Sequence, residues 1–217
     1  ALGADIVIHS TTKYINGHSD VVGGAVVAKD AEQHQQLVWW ANALGLTGSP
    51  FDSFLTLRGL RTLDARLRVH QENTHALIAL LQDHPVVRKL HYPGMASHPG
   101  HALAARQQKG FGAMLSVEFA DDVDVLDLLR GLSIFTIAES LGGFESLVCT
   151  PATMTHASMT AEARAKAGIS DRLVRFSIGL EHSKDLLRDI FAALDAVRAP
   201  GASNVAAFRK PGEVHAR

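Results

Sequence analysis

A single cysteine in 217 residues leaves this sequence no internal disulfide. A lone thiol fits a reducing compartment, so a cytoplasmic protein is expected. Long apolar runs are missing too. No run approaches the roughly eighteen residues of a membrane-spanning helix, and no signal peptide is expected. Blocks of like charge are also absent, and acidic and basic residues nearly cancel to a formal net charge of −1. That removes the electrostatic footprint of a binder of nucleic acid or of an anionic membrane. The twelve histidines include no H-E-x-x-H and no paired Cys/His spacing, so no metal site is expected. What is present is an ordinary globular composition, 47% hydrophobic and 20% charged, with enough apolar residues for a packed core.

The chain opens on ALGADIVIHS, where Ala4 to His9 already reads as an apolar strand. From this abrupt opening we expect the first half of a longer protein to precede it. Ile6 to Ile8 and Val21 to Ala28 read as strands covered on both faces, flanking a loop from Ser10 to Asp20. Residues 30 to 44 have helical composition with Asp30 as cap. After Gly48, Ser49 and Pro50, the leucines at 57, 60, 63, 67, 77, 80 and 81 predict one or two helices crossing a domain boundary near residue 60. Strands are then expected at 86–92, 113–119, 133–138 and 174–178, and helices at 100–108, 122–130, 160–167 and 183–197. This alternation predicts a small α/β domain with helices on one face of a sheet. The division expected is 1–60, 61–198, and a tail at 199–217.

The chemistry concentrates in HSTTKYINGHSD, residues 9 to 20. Ser10 to Lys13 spells S-x-x-K, a serine-nucleophile signature, but the S-D-N and K-T-G elements that accompany it are missing. Lys13 makes more sense as the reactive group, because an amine placed after a buried strand and partly desolvated loses some of its proton affinity. Ser10 and Thr12 offer two hydroxyls at alternate positions just before it. Together they suit a pyridoxal 5′-phosphate (PLP) site, with the lysine bonded to the cofactor and the hydroxyls on its phosphate. The same spacing also fits a surface loop carrying an exposed lysine.

The stretch GADIVIHSTTKYINGHSDVVGGAVV resembles the lysine segment of the Cys/Met-metabolism family of PLP-dependent enzymes. GLTGSPFDSFLTLRGLRTL, ARQQKGFGAMLSVEF, ESLGGFESL, MTHASM and GISDRLVRFSIGLE follow in that family's order, so the resemblance spans residues 1 to about 198. It implies an aspartate-aminotransferase-like α/β fold (fold type I). This chain would supply the C-terminal part of the large PLP-binding domain and the small C-terminal α/β domain. Lys13 then corresponds to the cofactor-bound lysine, and Ser10 and Thr12 to phosphate contacts. Arg175 corresponds to the residue that takes the substrate α-carboxylate, a task for which a planar guanidinium fork is suited. Ser146 corresponds to a position beside that carboxylate, and Glu145 to one that distinguishes substrates.

The resemblance further implies amino-acid substrates and a homotetramer completed by the N-terminal half of the same enzyme. That half would bring an aspartate for the pyridine nitrogen and a ring-stacking aromatic, and a neighbouring subunit would bring Tyr and Arg residues; none of these matches a position here. The expected reaction is γ-replacement, joining an O-acylhomoserine, by resemblance the succinyl ester, and L-cysteine into cystathionine. The alternative is γ-elimination of cystathionine to cysteine, 2-oxobutyrate and ammonia. A non-catalytic remnant acting as a binding module is the alternative from another class. Trp39 and Trp40 are expected to be packing residues, His156 and Cys149 loop or packing residues, and His18 and Asp20 to shape their turn.

Overall fold

The computed structural model describes residues 3–197; the expected tail at 199–217 lies outside them. The first segment is a two-stranded antiparallel ribbon of β1 (Ile6–Ser10) and β2 (Gly24–Ala28), in register from Ile6 opposite Ala28 to Ser10 opposite Gly24. Helix α1 (Ala31–Ala43) follows, its first turn capped by the Asp30 carboxylate, which accepts from the Gln33 amide at 2.8 Å. Helix α2 (Pro50–Leu60) begins with proline at its first position and Ser49 as cap.

The covering expected for β1 and β2 is not supplied by the described residues. Ile8 is 76% exposed, α1 buries no residue, and Trp39 and Trp40 are 61% and 56% exposed, stacked edge to face on one another. They do not pack into a core among the described residues as expected, because α1 meets chiefly β2 and buries no residue.

Helix α3 (Leu63–Leu81) separates this segment from a five-stranded sheet of order β3-β4-β7-β6-β5. The strands are β3 (Val87–His91), β4 (Met114–Phe119), β5 (Thr136–Ile137), β6 (Leu147–Cys149) and β7 (Leu173–Ser177). All pairings are antiparallel except that of β5 with β6. Strict alternation along β4 sends Leu115, Val117 and Phe119 to one face, where Val174 and Phe176 of β7 join them. Three helices supply the opposing apolar surface. Helix α3 gives Leu77 and Leu81, α5 (Val125–Arg130) gives Leu128 and Leu129, and α7 (Ser183–Ala196) gives Leu186, Ile190, Ala193 and Leu194 at helical spacing. Helices α4 (His101–Gln107) and α6 (Ala161–Lys166) are short connectors. No helix among the described residues is long and apolar enough to cross a membrane.

Three local expectations change. The strand expected at 133–138 shrinks to two residues because the Asp189 carboxylate takes the amides of Ser133 and Ile134 at 2.8 and 2.9 Å, removing them from the ladder. Strand β6, three buried residues, is too short to show any alternation in the sequence. The Ser10–Asp20 loop contains a π-helical turn at Thr11–Ile15.

One face of α3 is buried and polar at its first half. Arg66, His70, Asn73 and Thr74 precede Leu77 and Leu81 along it. His70 is 0% exposed and its Nδ1 lies 2.6 Å from the Ile178 carbonyl, so Nδ1 carries the proton and donates. Burial pushes its pKa below the ordinary 6.5, the Ile178 carbonyl opposes that, and Arg66 adds to it. A depressed pKa means that the unfolded chain takes up a proton first as pH falls. The stability that neutral His70 contributes is therefore complete above about pH 6.5 and is lost progressively below it. In His70→Gln the melting temperature should be lower at pH 8 and should fall less steeply between pH 6.5 and 5 than in the unmodified protein. A melting series over that range checks this, and parallel curves would contradict it.

Candidate functional site

The site forms where the Thr11–Ile15 turn meets the loop between β5 and β6. Backbone bonds close the turn: Thr11 N–H donates to the Gly23 carbonyl at 2.9 Å, Asn16 N–H to Thr11 at 3.1 Å, and Gly17 N–H to Lys13 at 2.8 Å. Lys13 itself departs from helical dihedrals (φ −93°, ψ −136°). Its half-buried amine donates to the Ser140 hydroxyl at 3.0 Å.

Arg175, on β7, donates through Nη2 to the carbonyls of Glu139 at 2.5 Å and Ser140 at 3.1 Å. The lysine and the arginine, 162 positions apart in the chain, thus meet at one serine. The arginine's Nε is buried without a partner. An unpaired guanidinium N–H beside an amine is an arrangement suited to a carboxylate.

The loop can approach this closely because of Gly142, whose φ is +76° and at which a Cβ would lie 2.9 Å from the Tyr14 amide. The Tyr14 hydroxyl is buried, and burial pushes it up to about 12, with the Ser177 hydroxyl opposing the shift. Buried side-chain polar atoms without a bond among the described residues belong to Asn16 at the end of the turn, to His70 beside Tyr14, and to the facing groups Glu145 and Arg175. Such atoms are rare in finished cores, and their concentration marks this place as the one built to receive something.

Ser10 sits exposed at the end of β1, and Thr12 Oγ1 accepts from the Gly23 amide at 3.0 Å. Glu145 accepts from the Ser19 hydroxyl at 2.6 Å through one carboxylate oxygen, while the other is buried and unpaired. Ser146 is 0% exposed and turned elsewhere. Its amide and hydroxyl both donate to Glu181, at 2.6 and 2.8 Å, and its oxygen accepts from the Gly179 amide at 2.8 Å. The sequence spells Glu-Ser-Leu twice, at 139–141 and 145–147, and it is the first copy that touches Lys13. Sequence reasoning chose the second and gave Ser140 and Glu181 no role.

The secondary candidates take up structural places. His18 and Asp20 close the turn, His18 Nδ1 at 2.6 Å from the Asn16 carbonyl and Asp20 accepting from the Asn16 amide group at 2.7 Å. His156 bonds to its neighbour Thr155. Cys149 is fully buried on β6, opposite Arg175. Among the described residues no cluster of metal-ligating side chains occurs.

A lysine amine, exposed hydroxyls on its N-terminal side and an arginine with a free N–H make a donor set that fits an aldehyde cofactor carrying a phosphate and an amino-acid carboxylate. Comparison with known proteins agrees in kind. Residues 1–195 match the family described as Cys/Met metabolism PLP-dependent enzyme. The chain is 57% identical over 191 residues to cystathionine gamma-synthase of Escherichia coli, covering 88% of this chain and 50% of that protein. It is 50% identical over 195 residues to cystathionine gamma-lyase of Dictyostelium discoideum, covering 89% and 50%. A crystal structure of cystathionine gamma synthase from Xanthomonas oryzae pv. oryzae, in complex with aminoacrylate and cysteine, superposes with a TM-score of 0.85 at 70% identity, covering 90% of this chain and 51% of that one. The chain spans about half the length of these relatives.

The two serines predict opposite behaviour on truncation. Ser146→Ala removes the hydroxyl's bond to Glu181, leaves the backbone amide's bond in place and orphans the Gly179 amide, and should cost about 1–3 kcal/mol of unfolding free energy. Ser140→Ala, at the half-buried mouth of the site, should stay within about 0.5 kcal/mol. Urea unfolding of both variants checks the ranking, and the reverse order would contradict it.

Proposed function

Because the chain belongs to the Cys/Met metabolism PLP-dependent enzyme family, we propose that it serves a γ-replacement joining O-acylhomoserine, as the succinyl ester, and L-cysteine into cystathionine, a step of methionine biosynthesis. It does so as the C-terminal portion of a cytoplasmic enzyme, completed by an N-terminal half and assembled as a homotetramer. The observation that carries the reading is the meeting of Lys13 and Arg175 at Ser140. Synthase is preferred to lyase because the identity is 57% to the Escherichia coli synthase against 50% to the Dictyostelium lyase. The exposed apolar surface of β1, β2 and α1 supports the completed assembly, since surface of that kind is ordinarily covered.

Pyridoxal phosphate, when bound, supplies the electron sink for negative charge at the substrate α-carbon. Ser10 and Thr12 hold its phosphate, Thr12 from an oxygen already oriented by the Gly23 amide. Lys13 would hold the cofactor through its amine, and that flexible amine is suited to moving protons at the substrate's α- and β-carbons. Its amine donates to the Ser140 hydroxyl, which holds it at the loop that also binds Arg175. Arg175 takes the α-carboxylate with its guanidinium, whose Nη2 is oriented by the carbonyls of 139 and 140. Glu145, oriented by the Ser19 hydroxyl, supplies a carboxylate for the ammonium of the incoming amino acid. Ser146 acts at one remove, fixing the turn that presents Glu145 by its three bonds to Glu181 and Gly179.

Borohydride reduction of the assembled enzyme, followed by peptide mass mapping, should place the pyridoxyl adduct on Lys13. An adduct elsewhere removes the reading, and none in a folded sample would leave a cofactor-free binding module in its place. The finer assignment rests on competing assays. O-Succinylhomoserine with cysteine should give a higher kcat/KM than cystathionine cleavage does, and the opposite ratio replaces the synthase with the γ-lyase. In Glu145→Ala the loss should fall more on the reaction with cysteine than on turnover of the O-acylhomoserine alone.

A further inference from the structure

Arg66 lies near the start of α3, only 7% exposed. Among the described residues no carboxylate is paired with it. Its donors go instead to main-chain oxygens and one hydroxyl: Nη1 to the Tyr14 carbonyl at 2.9 Å, Nη2 to Ile15 at 3.3 Å and to Gly59 at 2.8 Å, and Nε to Thr62 Oγ1 at 3.2 Å. Two of those carbonyls directly follow Lys13, and the third belongs to the last turn of α2, where the helix dipole favours a cation. An isolated buried cation is costly, so a guanidinium kept in the interior by oxygens alone is in a place shaped for it.

The opposite side of the contact is shaped to match. Gly17, at φ +69°, closes the Lys13 turn, and a Cβ there would fall 1.8 Å from Arg66 Nη1. Lys13 departs from helical dihedrals inside its turn, so a regular ladder of backbone bonds does not fix the direction of its side chain. The carbonyls of 14 and 15 are drawn towards α3 while the lysine amine reaches Ser140 on the other side. We propose that Arg66 is the positioning residue of the site: its guanidinium anchors the turn through the carbonyls of Tyr14 and Ile15 and thereby sets where the Lys13 amine stands. A lysine at 66 would keep the charge but not the planar fork, and one ammonium cannot serve four oxygens in these separate directions.

The proposal rests on Lys13 as the cofactor-bearing residue, so the adduct is first mapped in the unmodified enzyme. An adduct away from Lys13 refutes that premise independently of anything Arg66 does. With the adduct on Lys13, Arg66→Lys and Gly17→Ala are compared in the complete enzyme, the second pushing a methyl group against the guanidinium from the turn side. In cofactor-free protein, hydrogen exchange of the amides from Thr11 to Gly17 should quicken by about tenfold or more in both variants while β4 keeps its protection. In loaded protein, the dissociation constant for pyridoxal phosphate should rise by about ten- to a hundredfold. The pH midpoint of the lysine-linked cofactor's absorbance should move by about half a unit or more. Exchange that quickens equally in β4 and the turn, with an unmoved midpoint, assigns Arg66 to general stability and overturns the proposal. Unchanged exchange and unchanged midpoint overturn it as well.

Discussion

Main-chain carbonyls gripped by the polar face of α3 are the constraint on which the arrangement depends. Arg66 holds those of residues 14, 15 and 59, His70 that of 178, and Asn73 those of 179 and 181, the last two at 3.0 and 2.9 Å. One helix therefore ties together the lysine turn, the end of α2 and the segment leaving β7, the strand that carries Arg175. An α-helix is a stiff spacer of fixed rise, so the separation of lysine and arginine is set by residue positions along α3 rather than by any contact between the two. Buried side chains bonded to backbone are also hard to rearrange, since each carbonyl released would be left unpaired in the interior.

The opposite end of α3 does different work. Leu77 and Leu81 enter the apolar core, where α3 lies against α7 and β3. The helix is thus half spacer and half core, and the core half gives the spacer its footing. Strand β4, with neighbours on both sides, and α7, with its apolar stripe, complete that footing.

Much of this was legible in the chain. Asp30, the Ser49-Pro50 pair and the spacing of apolar residues in α7 announce their helices by local chemistry, and β4 announces itself by alternation. Lys13 and Arg175 stood out through the motifs that carry the family resemblance, and the structure brings both to Ser140. The functional half of α3 was not, because Arg66, His70, Asn73 and Thr74 look in sequence like a solvated face, and only the approach of three other segments turns that face inward. The duplicated Glu-Ser-Leu could not be resolved for a related reason. Two identical tripeptides six residues apart differ only in what lies across from them, Lys13 for Ser140 and Glu181 for Ser146. The edge at β5 was misjudged because Asp189, far along the chain, takes amides that would otherwise pair in the sheet.

The only thiol of the chain lies sealed in this architecture. Cys149 is fully buried on β6, and burial pushes its pKa up, opposed in part by the Arg175 guanidinium across the ladder. Thiol–disulfide exchange requires an accessible thiolate, and this sulfur is neither accessible nor readily ionised. A small thiol or disulfide arriving from solution therefore finds no partner on this strand. Sequestered in the sheet, the sulfur is kept out of redox exchange by packing rather than by pairing with a second cysteine.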